Sequence, residues 1–502
     1  MDPKTDRQPS NLSYMVFPFY FTKSLSEEDR ISDISAGLHK IDSIFCNGNT
    51  LWERKAKTIE DNVLYEYIKP NTDENATQYL AYSLRTFTKN DRDTKAGKFS
   101  NAWEKLNAEM PINRGEITYK LDFGHEKDNW NCPTMLISPS SGVGMLVLGV
   151  NPKMKDADIE DVINFNYHLH KIDGQQKLLI PLDLPILNIK ENATEAEIEK
   201  KKQQLEMVAG KKREQLEAIR EALYPDDAEN HDIADGLEFR LIDLVKMLLT
   251  GIPEWTLFEK GRAHVFSYYS FVKEDLTLTP EEKHAIIQLT RCTDSKYSLP
   301  MEDFDNSRYF TSTFRNIYIG SSIEGGCICT VRQVDENGES NNSANGFINS
   351  FATGNLQNRY LWLYFMALMQ RYVLLRMVAE LSDIDLNGDS SSQRSMFNKR
   401  YGYFCNTKIK SAFRDVSSFS QHNQVYKFLM DNMGVEDLYN EVSSKMQIVD
   451  SYMQMQCNEL MRKRNEQNER QNKKINLASI ILSVLMFIIA IIEALDIIQK
   501  YL

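Results

Sequence analysis

The segment Leu477–Ile498 limits this chain more than any other. From Leu477 to Ile492 every residue is apolar except Ser479 and Ser483, and Ala494–Ile498 carry the run past Glu493. As a helix the segment is about 33 Å long, enough to cross a hydrocarbon core of about 30 Å. Arg462, Lys463, Arg464, Arg470, Lys473 and Lys474 crowd its N-terminal side, and only Lys500 follows it. Lys and Arg are retained on the cytosolic face, so this bias predicts a cytosolic bulk and a C-terminus outside. Met1–Asn11 is polar, without the basic start and apolar run of a secretory signal, which agrees.

After Gly434 there is no Pro or Gly, so one helix is expected from about Val435 to Lys500, near 100 Å long. Within it Asn472, Asn476, Ser479, Ser483, Met486, Ala490 and Glu493 fall at spacings of four and three, along one face. The other face carries Ile481, Val484, Leu485, Ile488, Ile492 and Leu495. Upstream, the same register gives Asn458, Arg462, Asn465 and Glu469, with asparagine every seven residues at 458, 465 and 472. A seven-residue period keeps one seam only if helices supercoil, so the pattern suggests a bundle. Two readings of the seam stand side by side. Small and polar residues let membrane helices pack closely and hydrogen-bond. Alternatively, several copies enclose water, and Glu493 and Asp496 form carboxylate rings at the outer mouth that favour cations. Arg462 would then pair with Glu466 four residues on instead of facing the axis.

Ahead of that helix the chain reads as an α/β domain over residues 1–350, a helical region over 351–434, a stalk over 435–475 and a transmembrane helix over 476–499. Strands are expected at Ser13–Thr22, Tyr119–Phe123, Thr134–Ser138, Val143–Gly149, His264–Val272, Asn316–Ser321 and Cys327–Val334. Helices are expected at Glu27–Lys40, Asp156–Lys171, Thr194–Leu223, Leu237–Thr250, Pro280–Arg291 capped by Thr279, Tyr360–Leu381, Ser392–Val416 and His422–Asn432. Asp335–Gly346 reads as a polar loop. Tyr360–Leu381 is strongly apolar, but Arg371 and Arg376 interrupt it, so a core or interface helix is expected rather than a span.

A net charge of −12 argues against direct nucleic-acid binding, which wants a basic face, but leaves room for a local basic patch and a small anion. The seven cysteines are scattered and odd in number, which fits a reducing compartment and no disulfide framework. Cys327 and Cys329 share one strand face and are expected as buried core residues rather than a metal pair. Gly142, Gly144 and Gly149 flank a strand with no Lys-Ser/Thr pair after them, which is not a phosphate loop. No catalytic motif, cofactor motif or metal-ligand spacing is apparent, so no enzyme activity is expected. Ligand-facing loops are expected at Thr353–Arg359, offering Gly354, Asn355, Asn358 and Arg359, and at Ser321–Gly326; a helix cap and turn is the plainer account of the first.

The order of parts resembles the CorA family of divalent-cation channels: an α/β domain, the apolar helix YLWLYFMALMQRYVLLRM at Tyr360–Met377, and a long helix running through ERQNKKINLASIILSVLMFIIAII at Glu469–Ile492. The resemblance covers about the last 150 residues by organisation and the remainder only by class. It implies a pentameric homo-oligomer in a cell inner membrane, with Asn472, Asn476, Ser479, Ser483 and Met486 lining a pore for cations. The family's Gly-Met-Asn signature and second span are not seen before the sequence stops at Tyr501–Leu502, so its selection of hydrated magnesium is not carried over. Divergent CorA-like proteins beside type III CRISPR systems act as antiviral membrane effectors opened by a nucleotide messenger, in one form an S-adenosylmethionine–AMP conjugate. A large cytosolic domain on a reduced membrane part is similar to that design. A constitutive transporter and a tail-anchored scaffold are the alternatives.

Overall fold

The computed structural model describes residues 11–21, 51–54, 64–65, 80–84, 107–112, 117–123, 132–138, 141–152, 158–172, 176–182, 195–250, 252, 255–298, 308–335, 345, 347–348, 351–382 and 415–501. The expected helices Glu27–Lys40 and most of Ser392–Val416, and nearly all of the Asp335–Gly346 loop, lie outside these residues. Two compact units are present: Met1–Arg376 with Tyr403–Tyr439, and Met377–Gly402 with Asn440–Leu502.

The first unit is built on a sheet whose middle is β1 (Asn11–Phe21). Its near-continuous apolar run, LSYMVFPFYF, suits a strand covered on both faces, and all its residues but Tyr20 are buried. Chain order then gives β2 (Trp52–Arg54), β3 (Leu80–Leu84), β4 (Asn107–Ile112), β5 (Ile117–Phe123), β6 (Thr134–Ser138) and β7 (Val143–Pro152). After these come β8 (Leu178–Pro181), β9 (Gly236–Phe239), β10 (Trp255–Leu257) and β11 (His264–Lys273). The last three are β12 (Phe310–Phe314), β13 (Ile317–Ser321) and β14 (Gly325–Gln333).

The main path runs β12-β13-β14-β11-β1-β7-β5-β4-β8-β9, with β6, β3 and β2 branching from β7 and β10 from β1. Register is set by apolar complementarity. Phe19 of β1 lies opposite Gly144 of β7, where a Cβ would run into the Phe19 ring. The glycine pair at 142 and 144 therefore serves a turn and a close strand approach. Among the described strands all pairings are antiparallel except β11 with β14, which needs a crossover connection.

Helices cover this sheet. The first, α1 (Ile159–Leu169), is capped by Asp158, whose side chain accepts from Asp161 N at 2.9 Å. Next are α2 (Glu195–Leu223), charged and largely exposed as its sequence predicts, and α3 (Leu241–Leu248). The expected single helix Leu237–Thr250 is corrected: Gly236–Phe239 is a strand paired with β8. Leu237 and Phe239 are buried and flank the exposed Glu238, a two-residue period that the sheet edge captures. The helix begins only at Leu241, where Asp243 accepts from Arg240 N at 3.1 Å.

The crossover helix α4 (Pro280–Arg291) matches expectation. Thr279 accepts from Glu282 N at 3.2 Å, Glu282 accepts from Thr279 N at 2.8 Å, and Pro280 opens the first turn. It packs on β13 and β14. Cys327 and Cys329 on β14 are fully buried there, as expected.

Thr353–Arg359 is not a loop. Phe351–Tyr360 is a π-helical stretch that runs directly into α5 (Leu361–Ser382). Buried Phe351, Leu356 and Tyr360 fix the widened turns to the core, and Gly354 leaves open space beside the backbone. Then follow α6 (Ser420–Asn432) and α7 (Val435–Tyr501), 67 residues without a break. Gly434, at φ +64°, separates the two; this left-handed conformation suits glycine.

Among the described residues, two helices are long and apolar enough to cross a membrane. In Gly354–Ser382, 83% of the most apolar window is buried inside the protein, so that helix is a core element as its arginines suggest. In Val435–Ile498 none of that window is buried, and its mean hydropathy is 2.8. That second helix fits a membrane anchor.

Candidate functional site

The first unit holds a cavity of about 380 Å³ where five structural contexts converge. The C-terminal end of α1 supplies Tyr167, His170 and Lys171. The segment leading into β11 supplies Glu259, Arg262 and Ala263, joined to α1 through a backbone bridge between Lys171 and Arg262. The C-terminal end of α4 supplies Arg291, Cys292 and Thr293, with Tyr297 beyond it. Ile323 and Glu324 come from the β13–β14 turn, and Arg371 from the middle of α5.

Lys171 and three arginines thus face two carboxylates, and one of these, Glu259, is already engaged. Glu259 accepts hydrogen bonds from Tyr372 and from His264, the latter at 3.2 Å. Burial draws its carboxyl up, but those bonds and the nearby Arg371 charge outweigh it and hold the group down at about 2. The Ser322 hydroxyl lies 3.2 Å from Glu324 but closer, at 2.8 Å, to the Thr290 carbonyl that takes its proton.

Among the described residues none of Lys171, Arg262, Arg291 or Arg371 has a carboxylate within 4.0 Å. Lys171 lies 3.7 Å from the centre of the Tyr167 ring and Arg291 5.4 Å from that of Tyr309. Arg371 donates through Nη1 to the Met433 carbonyl, and its buried Nε has no hydrogen-bond partner.

Capping accounts for part of this charge, since Lys171 and Arg291 sit where helix ends present unpaired carbonyls. It does not account for exposed Arg262, or for the idle donor of Arg371.

Two further groups in the wall are held neutral. Burial, helped by the Lys171 and Arg262 charges, lowers His170 to about 4 against the bond to the Asn166 carbonyl. Burial pushes the Cys292 thiol up, with Glu324 adding to the effect, so it is a poor nucleophile at neutral pH. Cys292 also takes the left-handed φ of +49° that closes α4.

The residues singled out in the sequence fall elsewhere, apart from the Ser321–Gly326 turn, which supplies Ile323 and Glu324. Gly354, Asn355, Asn358 and Arg359 lie on the π-helical stretch and do not line the cavity. Arg359 donates to Asn355 at 2.7 Å, one turn away on the same stretch. Sequence reasoning missed Lys171, Arg262, Arg291 and Arg371, which are separated by as much as two hundred positions. The only signal was the allowance for a local basic patch. Among the described residues no cluster of three or more His, Cys, Asp or Glu side chains is placed to hold a metal.

In the second unit, α7 carries the polar seam on an unbroken helix. Asn472, Asn476, Ser479, Ser483, Met486, Ala490 and Glu493 are all exposed. At about 100° per residue they stay within about 60° of one line. Asn476, Ser479 and Ser483 line a shallow groove with Ile480, Val484 and Phe487. Ser483 donates to the Ser479 carbonyl at 2.9 Å, which satisfies its hydroxyl within the helix. Asp496 turns about 120° off the line in a straight helix and rejoins it only if the helix supercoils. Arg462 pairs with Glu466 at 3.6 Å and Lys463 with Glu459 at 2.9 Å, as the spacing of four predicts for the first pair. No family model, characterised protein or solved structure matches this chain.

Proposed function

We propose that this protein is a homo-oligomeric membrane pore gated by a ligand on its cytosolic domain. The observation that carries the reading is the seam Asn472–Glu493, lying along one face of an unbroken helix whose apolar window finds no cover inside the protein. Polar side chains inside a bilayer are costly facing lipid, so they are expected to face other helices or water. Several copies of α7 arranged with the seam inward would give a channel lined by amides, hydroxyls and Met486. Glu493, and Asp496 if the helices coil, would add carboxylates that favour cations.

The basic run Arg462–Lys474 supports an orientation with the first unit in the cytosol, at the inner membrane of the cell. The resemblance to CorA channels supports a pentamer, and its CRISPR-associated branch supports an antiviral role under a nucleotide messenger. A second reading, a tail-anchored scaffold, draws on the groove and on Ser483, since small residues and internally satisfied hydroxyls also favour tight helix packing.

Conductance of the purified chain in planar bilayers separates these readings. The pore predicts ligand-dependent cation currents, and Glu493→Gln is expected to reduce cation over anion preference several-fold. A chain that is monomeric or dimeric in detergent and passes no current would exclude the pore.

A further inference from the structure

We infer that the cavity between α1, α4, the β13–β14 turn and α5 binds a phosphate-class oxyanion, with Arg371 as the ligand shared between that anion and the start of α7. The size of the cavity, about 380 Å³, is in the range of small-molecule sites. Its charge is unbalanced in a chain whose net charge is −12. Lys171, Arg262, Arg291 and Arg371 line it against two carboxylates, Glu324 and Glu259, of which Glu259 already accepts from His264 and Tyr372. Planar guanidinium forks match phosphate oxygens in pairs, and three of the four cations are arginines. Exposed Tyr297, edge-on to Tyr167 at 6.3 Å between ring centres, leaves an aromatic face at the rim for a planar group on the same ligand.

Arg371 gives the site a consequence. Its Nη1 donates to the carbonyl of Met433, the residue before Gly434. A Cβ on Gly434 would sit 3.6 Å from that same nitrogen, so the guanidinium lies beside the glycine where α7 begins. The buried Nε is without a partner. An oxyanion in the cavity competes with a neutral carbonyl for this guanidinium and, being charged, makes the stronger bond. Occupancy would then release Met433 and loosen the junction at Gly434. That consequence rests on the gated-pore reading; the binding does not.

The test uses the full chain in detergent with inorganic pyrophosphate as probe. Pyrophosphate is expected to raise Tm, because it binds only the folded state. Arg262→Gln, an exposed position outside the core, is expected to weaken binding at least tenfold. Lys260→Gln, exposed and not in the wall, should leave it unchanged. Hydrogen exchange of the amides from Gly434 to Leu438 is expected to speed up on binding. No Tm shift, or equal shifts in wild type and Arg262→Gln, would overturn the site; binding with unaltered exchange would overturn the role of Arg371. Anion binding without any conductance would sink the pore and spare the site, whereas conductance without anion binding would do the reverse.

Discussion

The two apolar helices α5 and α7 face the same problem and resolve it differently. Each is long and apolar enough to span a bilayer, yet the apolar window of one is 83% buried and that of the other not at all. The difference begins in composition. In α5, Trp362, Tyr364 and Tyr372 are nearly or fully buried, and Arg371 and Arg376 find backbone carbonyls, the latter at Phe21 and Gly142. Large aromatics and hydrogen-bonding arginines need shaped, polar-capable surroundings, which a protein core provides. In the apolar part of α7, Ile, Leu, Val and Phe dominate without any such anchor, a composition that suits a lipid surround. Hydropathy ranks the two helices, but side-chain shape tells which partner each requires.

The largest expected effect tests that contrast directly. Trp362→Ala removes a fully buried indole from α5 and should lower unfolding stability by about 3–5 kcal/mol. Leu485→Ala on exposed α7 should leave it unaltered. Urea unfolding of the detergent-solubilised chain, followed by tryptophan fluorescence, measures both; similar losses would mean that α7 is buried by protein after all.

A charge sharpens the comparison next. Leu485→Asp is expected to cost about 2.5–3.5 kcal/mol of membrane insertion, so a measurable share of the chain should move from membrane pellet to supernatant. Full retention of the variant in the membrane would show that position 485 faces water or another helix, and would reassign the lipid-facing side.

Much of the fold was legible from local signals. The cap residue Thr279 and the proline that follows it locate the start of α4. The absence of Pro and Gly after Gly434 locates α7, and the unalternating run in β1 marks a strand covered on both faces. Short strands such as Trp52–Arg54, Leu80–Leu84 and Leu178–Pro181 escaped, because three to five residues hold too little periodicity and their pairing is non-local. Leu237–Phe239 deceived for a related reason, since its apolar spacing fits a helix until the pairing with β8 is known. The cavity was invisible because its cations come one at a time from separate elements, and each alone reads as a solvated or capping residue. The seam on α7 was readable because all its members share one helix, where spacing alone fixes the face.

The smallest expected effect lies in the cavity wall, where the buried unit carries a titration that α7 has no means to impose on it. His170 is nearly fully buried and stays neutral down to about pH 4, whereas an unfolded histidine gains its proton near pH 6.5. Below pH 6.5 the unfolded chain therefore binds a proton that the folded chain refuses. Stability is complete above that value and falls as pH drops toward 4, by at most about 3 kcal/mol. Glu259 adds a second window of the same sign, from about 4.5 down to about 2, because its carboxylate is held ionised by His264, Tyr372 and Arg371. His170→Gln can still donate toward the Asn166 carbonyl that His170 contacts at 3.2 Å, but carries no titrating proton. The variant should thus show a shallower decline of the urea midpoint between pH 7 and 5 than the wild type, the remainder carried by His168, which burial also lowers, while both lose stability below pH 4.5. Membrane retention, set by the apolar length of α7, should hold over the same range. Parallel decline of wild type and variant between pH 7 and 5 would mean that another group in the compact unit carries the acid sensitivity.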